Sequence, residues 1–305
     1  MYLVVDIGSN TIRVVIFRVE DNQMNAVLNK KYPAGLANYI NKKNMMTDEG
    51  IDTLVEIMQE VKSLTNTIEF KEVYAFATAS LRNIDNTQDV IKKVKKQTDV
   101  DIKVLSGQEE ALYDYYGAIK QSQVTDGLLI DIGGGSTELV LFNSNDVVIA
   151  DSIPVGSLNM YNKYSDDIII STKSTVDIEK DVYKKLDKLP VKDLKTIDTI
   201  YGVGGTARAV LKIYKKLKKC DADCDRYDRT FIDELLEINK RDKMKFTELV
   251  LKNAPERIHT LVPGMAILNA IAKKYNCKTV VTSSHGVREG YLYYKLEKAG
   301  EITNE

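Results

Sequence analysis

Histidine and cysteine are scarce in this chain, and long apolar runs are missing from it. Only two histidines, His259 and His285, occur among 305 residues, and neither has a partner at ligand spacing. His259 lies among Leu, Val and Pro, where a hydrogen-bonded structural role is the usual outcome. His285 sits in Ser283-Ser284-His285-Gly286, a loop from which it could touch a ligand. Cys220, Cys224 and Cys277 are an odd and sparse set. The first two are spaced like half a metal site, but no second ligand pair follows, so free intracellular thiols are expected. No apolar run approaches the ~18 residues of a membrane span, and Met1 runs directly into a strand-like segment without a signal peptide. The expectation is a cytoplasmic protein that engages no membrane. An excess of one charge is absent too: 43 Lys and Arg against 44 Asp and Glu leave a formal net charge of -1. That excludes a global basic field for nucleic acid, so any polyanion must meet a local cluster of cations.

A hydrophobic content of 44% and a charged content of 29% describe an ordinary globular protein. The length allows two domains of about 150 residues each. The most informative stretch is Leu128 to Phe142. An apolar run ends in Asp131, three glycines follow (Gly133, Gly134, Gly135), and Ser136-Thr137-Glu138 leads into a second alternating run. Three glycines strip the Cβ atoms from a tight turn, so its N–H groups can approach an anion closely. Ser136 and Thr137 add hydroxyl donors, and Asp131 at the strand end suits a hydrated divalent cation. The plain alternative is a β-hairpin with a flexible tip. Against it stands the N-terminus, where Asp6-Ile7-Gly8-Ser9-Asn10-Thr11 through Phe17 aligns without a gap on Asp131 to Phe142. Two copies of strand, acidic turn and strand predict a duplicated domain whose halves face each other across a cleft.

Along the chain, Thr11 to Val19 and Ala26 to Leu28 read as strands. Arg13 is either cleft-facing or a solvated edge charge. Thr47 caps a helix with the stripe Ile51, Leu54, Val55, Met58 and Val61. The strand Val73 to Ala77 hands over to a helix at Thr78-Ala79-Ser80-Leu81-Arg82, where Arg82 is placed for bidentate phosphate contact. Gln88 to Gln97 predicts a helix whose lysine run, Lys92 to Lys96, reads as a solvated basic face. After the strand Ile102 to Leu105, Ser106 and Glu109 stand in the relation of a capping box, which leaves Glu110 free as a general base on water. The plainer role for both carboxylates is to complement the helix dipole. The polar stretch Gln121 to Gly127 predicts the crossing between domains, 1–123 and 124–305, with the last helix packing back on the first. Val147 to Ile153 completes a second meander. A helix begins after Pro154, and another runs from Thr175 to Leu189. The third glycine turn, Gly202 to Gly205, follows a strand, and Thr206 is expected to cap the next helix, a weak anion site when taken singly. Residues 215–260 read as charged helices and loops, with Lys215 to Lys219 as a solvated helix end. Pro263 to Ile271 is a core helix, Thr279 to Thr282 a last strand, and Arg288 a second candidate cleft arginine.

Six motifs occur together and in order: Asp6 to Thr11, Thr78 to Arg82, Ser106 to Ala111, Asp131 to Glu138, Gly202 to Thr206 and Gly286 to Gly290. The set resembles the exopolyphosphatase and guanosine pentaphosphate phosphohydrolase family of the actin-like, sugar-kinase-like ATPase superfamily. The resemblance runs from residue 1 to about 298. It implies an α/β fold of two ribonuclease-H-like domains with the active site in the cleft between them. It also implies metal-dependent hydrolysis of a terminal phosphoanhydride. The family's catalytic glutamate falls on Glu110, its acidic turn residue on Asp131, and its phosphate-binding turn on Gly133, Gly134, Gly135, Ser136 and Thr137. Gly8, Ser9, Asn10, Thr11, Arg82, Gly204, Gly205 and Thr206 are expected to share the phosphate, with Arg13 and Arg288 as further contacts. Mg²⁺, with Mn²⁺ as the alternative, is expected on Asp131 with help from Asp6 or Glu138.

Longer members append helical C-terminal domains, which a chain ending at Glu305 would lack. The expected substrates are therefore shorter polyphosphates or guanosine pentaphosphate, and a homodimer is expected by resemblance. Two readings from another class remain. One is an ATP-binding kinase or filament protein of the same superfamily, and the other is a nucleotide sensor without catalysis.

Overall fold

A computed structural model describes residues 1–121, 126–144, 146–189 and 197–302 of the chain. In the first part β1 (Tyr2–Ile7), β2 (Ile12–Glu20) and β3 (Gln23–Tyr32) form an antiparallel meander. It is followed by α1 (Asp48–Thr67), β4 (Glu72–Ala77), α2 (Ala79–Arg82), α3 (Thr87–Thr98), β5 (Ile102–Val104) and α4 (Gly107–Gln121). A second meander, β6 (Gly127–Ile132), β7 (Thr137–Asn143) and β8 (Asp146–Ile153), precedes α5 (Ser157–Tyr164) and α6 (Thr172–Leu186). Then come β9 (Thr199–Val203), α7 (Gly204–Lys218), β10 (Arg226–Asp228), α8 (Thr230–Arg241), α9 (Lys243–Asn253), α10 (Leu261–Lys274), β11 (Thr279–Thr282) and α11 (Val287–Lys298). Among the described residues no helix is long and apolar enough to cross a membrane.

The strands build two mixed sheets, in the orders β3-β2-β1-β4-β5 and β10-β11-β9-β6-β7-β8. Apart from β10, which the sequence reading missed, the second order repeats the first, strand for strand and in the same parallel or antiparallel sense. The duplication holds at atomic detail. Gly8 N–H donates to Thr11 O at 3.1 Å, and Gly133 N–H donates to Ser136 O at 3.0 Å. A register shift falls between Ile16 and Phe17 in one meander, and between Leu141 and Phe142 in the other. The third strand of each runs into Pro-x-Gly, Pro33 to Gly35 and Pro154 to Gly156. The two-sheet α/β fold expected from the sequence is the fold observed.

Each sheet buries its own core. In the first, Thr47 accepts Gly50 N–H at the start of α1, and the helix buries Ile51, Leu54, Val55, Met58 and Val61 against Leu3, Val5, Val14 and Ala75. In the second, α10 is apolar on every side and buried from Leu261 to Ala272, as a helix packed all round must be. The compact units comprise Met1–Glu110 with the chain from Tyr291 onward, and Ala111–Gly290. Their limits therefore fall inside α4 and α11. Residues 122–125, at the heart of the expected crossing, lie outside the described residues.

Candidate functional site

The first glycine turn is anchored by its carbonyls. Ser9 O accepts Ala37 N–H at 2.9 Å and Asn10 O accepts Gly35 N–H at 3.0 Å. The second turn is held likewise by the N-terminus of α5. Gly133 O accepts Ser157 N–H, Gly134 O accepts the N–H groups of Leu158 and Asn159, and Gly135 O accepts Asn159 Nδ2 at 2.8 Å. In a trans peptide the N–H points opposite to the C=O. Pinning three successive carbonyls on α5 therefore turns the N–H groups of Gly134, Gly135 and Ser136 the other way, as an anion nest requires.

In the first unit, the two adjacent carboxylates of α4 separate as the spacing predicts. Ser106 N–H donates to Glu109 Oε2 at 2.9 Å and Glu109 N–H to Ser106 Oγ at 3.1 Å, a complete capping box. Glu110 instead accepts from Arg82 Nη1 at 2.6 Å, with side-chain exposures of 10% and 17% for the pair. Arg82, expected on phosphate, thus lies on Glu110 and on Leu105 O at 3.1 Å. Arg13 donates to Asn29 Oδ1 at 2.7 Å, and Asp6 stands opposite it across β1 and β2.

In the second unit, Asp131 and Glu138 face each other across β6 and β7. Glu138 is buried and accepts from Ser136 Oγ and Ser152 Oγ, each at 2.7 Å. The hydroxyl of Thr137 donates to Val155 O at 2.5 Å. Ser136 and Thr137 therefore spend these donors on holding Glu138 and the chain after β8.

The third glycine turn begins α7 earlier than expected, and here one expectation is corrected. Val203 is the N-cap, Gly204 takes φ +79°, and Thr206 lies inside the first turn. Left-handed Gly204 lets the helix start before Thr206 is reached. A Cβ on Gly204 would lie 2.0 Å from Asp131 Oδ1, so this carboxylate sits directly against the start of α7. Thr206 is fully buried facing Gly264 of α10, and its hydroxyl has no hydrogen-bond partner among the described residues.

Around the same turn stand three arginines, of which the sequence reading had singled out only Arg288. Arg257 lies over Gly205, where a Cβ would be 1.7 Å from its Nη2. Burial pushes the Arg208 guanidinium down from its ordinary pKa. Asp131 and Glu289 act to raise it, while Arg288 and Arg257 add to the lowering. The signal for Arg208 was its place in the first turn after the glycines. Arg257, beyond α8 and α9 in a charged stretch, gave none. Three guanidinium groups at a helix start beside a glycine turn make a strong local anion field in a chain of almost no net charge.

Elsewhere the plain readings stand. Lys93 pairs with Asp52 and Lys95 with Asp101, each at 2.8 Å, and Lys218 pairs with Glu234 at 2.9 Å. His259 packs edge-on to Tyr161, and burial, with Arg257 adding to it, holds its pKa below the usual value. The backbone on either side of His285 is tied to Ser283 Oγ. All three cysteines are free thiols. Among the described residues no group of three or more His, Cys, Asp or Glu side chains is disposed to hold a metal ion. Burial pushes the Cys277 thiol up to about 12. At pH 8 only about one molecule in 10⁴ then carries the thiolate there. Iodoacetamide at that pH is expected to label Cys220 and Cys224 while sparing Cys277 until the chain is unfolded. Peptide mapping of the native and denatured protein checks this.

The chain is 24% identical over 304 residues to a Haemophilus influenzae protein provisionally named an exopolyphosphatase, covering 98% of this chain and 92% of that one. It is 24% identical over 312 residues, 98% of its own length, to a guanosine-5'-triphosphate,3'-diphosphate pyrophosphatase of Photobacterium profundum, and spans 60% of that protein. It spans 46% of a bifunctional 3-dehydroquinate synthase/phosphatase of Fusobacterium nucleatum, at 26% identity over 96% of this chain. The crystal structure of an Aquifex aeolicus Ppx/GppA family member shares the fold, with a TM-score of 0.79 at 22% identity over 98% of both chains. So does an exopolyphosphatase from Cytophaga hutchinsonii, at 0.80 and 19% identity, covering 99% of this chain and 98% of that one. A model of the Ppx/GppA phosphatase family matches residues 15–299, and the chain belongs to that family.

Proposed function

We propose that this phosphatase acts as an exopolyphosphatase, releasing orthophosphate from the end of inorganic polyphosphate with Mg²⁺ bound and Glu110 as general base. The observation that carries the reading is the division of labour at the start of α4. Glu109 is spent on the helix cap, whereas Glu110 is held by Arg82 in a charge-assisted bond of 2.6 Å. A carboxylate fixed in this way accepts a proton from an attacking water at Oε, a role typically worth ~10²–10⁴ in rate. The N–H faces of the turns Gly8 to Thr11 and Gly133 to Thr137 suit phosphate oxygens, as do the guanidinium groups of Arg208, Arg257 and Arg288. The donor set also fits the metal. Asp131 and Glu138 stand in direct register, and Mg²⁺ asks for one or two carboxylates while drawing its other oxygens from water and phosphate. When bound, the ion supplies neutralisation of charge on the phosphate oxygens. Asp6 is the first copy's counterpart of Asp131.

Hydrolysis of guanosine pentaphosphate is the second reading, favoured by the name of the Photobacterium relative. Orthophosphate release is to be measured in parallel from polyphosphates of defined length and from the nucleotide, with Mg²⁺ and after chelation. Faster release from polyphosphate is the expected result, and chelation should abolish it. Release from the nucleotide alone would move the assignment to the second reading. ATP turnover with neither substrate cleaved would overturn both.

A further inference from the structure

The repeat of the two meanders continues past their third strands into a longer motif, Pro-x-Gly-x-x-Asn. It reads Pro33-Ala34-Gly35-Leu36-Ala37-Asn38 in the first copy and Pro154-Val155-Gly156-Ser157-Leu158-Asn159 in the second. Its start is the same in both, with Ala34 N–H on Tyr32 O at 2.9 Å and Val155 N–H on Ile153 O at 2.8 Å. Each motif then lays its amides on the carbonyls of its own glycine turn, but the two differ at one link. In the gapless repeat Asn10 corresponds to Gly135. In the first copy left-handed Gly35, at φ +58°, donates its own N–H to Asn10 O at 3.0 Å. In the second, Gly156 is extended, at φ −126°, and its N–H donates instead to Asn159 Oδ1 at 2.7 Å. Asn159 Nδ2 in turn donates to Gly135 O at 2.8 Å. The carboxamide of Asn159 is thus wedged between the two groups that bond directly in the first copy. Asn38, at the matching place, is exposed and stands outside that bond.

We infer that Asn159 is a positioning residue of the phosphatase, holding the Gly135–Ser136 peptide link so that its carbonyl stays off the phosphate face of the turn. The reason lies in the glycines. The missing Cβ atoms at Gly134 and Gly135 admit an anion closely, but they also leave the peptide links easy to rotate. Backbone amides hold the two earlier links, since Gly133 O takes Ser157 N–H and Gly134 O takes those of Leu158 and Asn159. The third link is held by a side chain. Once released, its carbonyl oxygen swings toward the face where N–H groups meet phosphate oxygens, and there it repels them. In the first copy Ser9 and Asn10 carry Cβ atoms that restrict their own backbone, and the direct bond suffices. Asparagine suits the wedge because one planar, neutral group offers an acceptor to Gly156 and a donor to Gly135. That the ligand is a phosphate chain rests on the phosphatase reading above, but the wedge does not. The plainer role for Asn159 is to cap α5 alone, and two substitutions separate the roles.

Aspartate keeps the acceptor for Gly156 N–H, and so the cap, but loses the donor to Gly135 O. Alanine loses both and adds no charge. Inorganic tripolyphosphate is titrated calorimetrically into the Glu110→Gln chain with Mg²⁺, so that binding is read without turnover. Asn159→Asp and Asn159→Ala in that background are each expected to weaken binding about three- to tenfold. Melting curves show that the variants fold, with the larger fall in midpoint for alanine. With Glu110 intact, KM for tripolyphosphate should rise by the same factor while kcat stays within about threefold, because bound substrate holds the turn in its competent form. Asn38→Ala should shift the binding constant by less than about twofold. Weakening by alanine alone would assign Asn159 to the cap, and weakening by aspartate alone would reduce the effect to charge. Either result overturns the proposal. So does a loss confined to kcat, an equal loss in Asn38→Ala, or the absence of binding by the parent. Binding that depends on Asn159 in both variants, in a protein whose native form releases no phosphate from polyphosphate, would keep the wedge and remove the hydrolase reading.

Discussion

Glu110→Gln is expected to lower kcat for orthophosphate release by about 10²–10⁴-fold. The substitution keeps the shape of the side chain and a carbonyl oxygen to accept from Arg82, but an amide cannot take a proton from water. Stability should fall much less than activity. Removing one partner of a buried ion pair costs about 3–5 kcal/mol when the other charge is left uncompensated. Here the glutamine oxygen still meets the guanidinium, Leu105 O still accepts from it, and Arg82 is 17% exposed. A loss of about 1–2 kcal/mol is expected, that of one charged hydrogen bond weakened to a neutral one. Glu109→Gln is the matching control. Glutamine preserves the capping box, so activity should stay within about threefold of the parent, with a small change in thermal midpoint. Steady-state rates and melting curves of the two variants, side by side, decide. An unaltered rate in Glu110→Gln, or equal losses in both, would remove Glu110 as the base.

Much of this is legible in the sequence itself, because it depends on residues close together along the chain. The capping box is a relation between Ser106 and Glu109 on one turn of helix. The glycine turns and the gapless repeat of Asp6 to Phe17 on Asp131 to Phe142 are local patterns, and the structure matches them down to the shifted register after Ile16 and after Leu141. What escaped was set by distant chain. Thr206 looked like a cap because threonine after glycines at a helix start usually is one, but left-handed Gly204 started α7 first and turned Thr206 toward α10. Thr137 looks free for phosphate in the sequence because Val155, whose carbonyl accepts from its hydroxyl, lies beyond another strand. Arg257 was invisible because nothing in a charged helical stretch marks the one arginine that will cross a glycine. Hydroxyls and guanidinium groups of this kind take their roles from packing, which the sequence records only through residues far away.

Gly290→Ala is expected to destabilise the second unit by about 3 kcal/mol, at the upper end for overpacking. Two effects compete at this position. Alanine favours a helix over glycine by up to about 1 kcal/mol, so on propensity alone the variant should be more stable. Packing reverses the sign. A Cβ on Gly290 would stand 1.7 Å from Tyr113 O and 2.7 Å from Gly117 N, while one on Gly117 would stand 2.4 Å from Gly286 O. The obstacles are backbone atoms of α4 and of the start of α11, which cannot swing aside as a side chain can, so the helices must part. Gly300→Ala is the counterpart. Its φ is +69° with no atom within 4 Å, so it carries the strain of a left-handed alanine, about 1–2 kcal/mol, without any overlap. Denaturant titration should rank the two variants in that order, and a Gly290→Ala protein as stable as its parent would mean that α4 and α11 do not cross this closely. The position has a further meaning in the duplication. Gly286 N–H donates to Glu289 Oε2 at 2.9 Å, as Ser106 N–H donates to Glu109 Oε2 at the same distance, so the residue after each cap is Gly290 in one copy and Glu110 in the other. One place in the repeated unit thus serves close helix packing in the second copy and carries the candidate base in the first. A glutamate at 290 would have no room, and a glycine at 110 would leave Arg82 without its carboxylate.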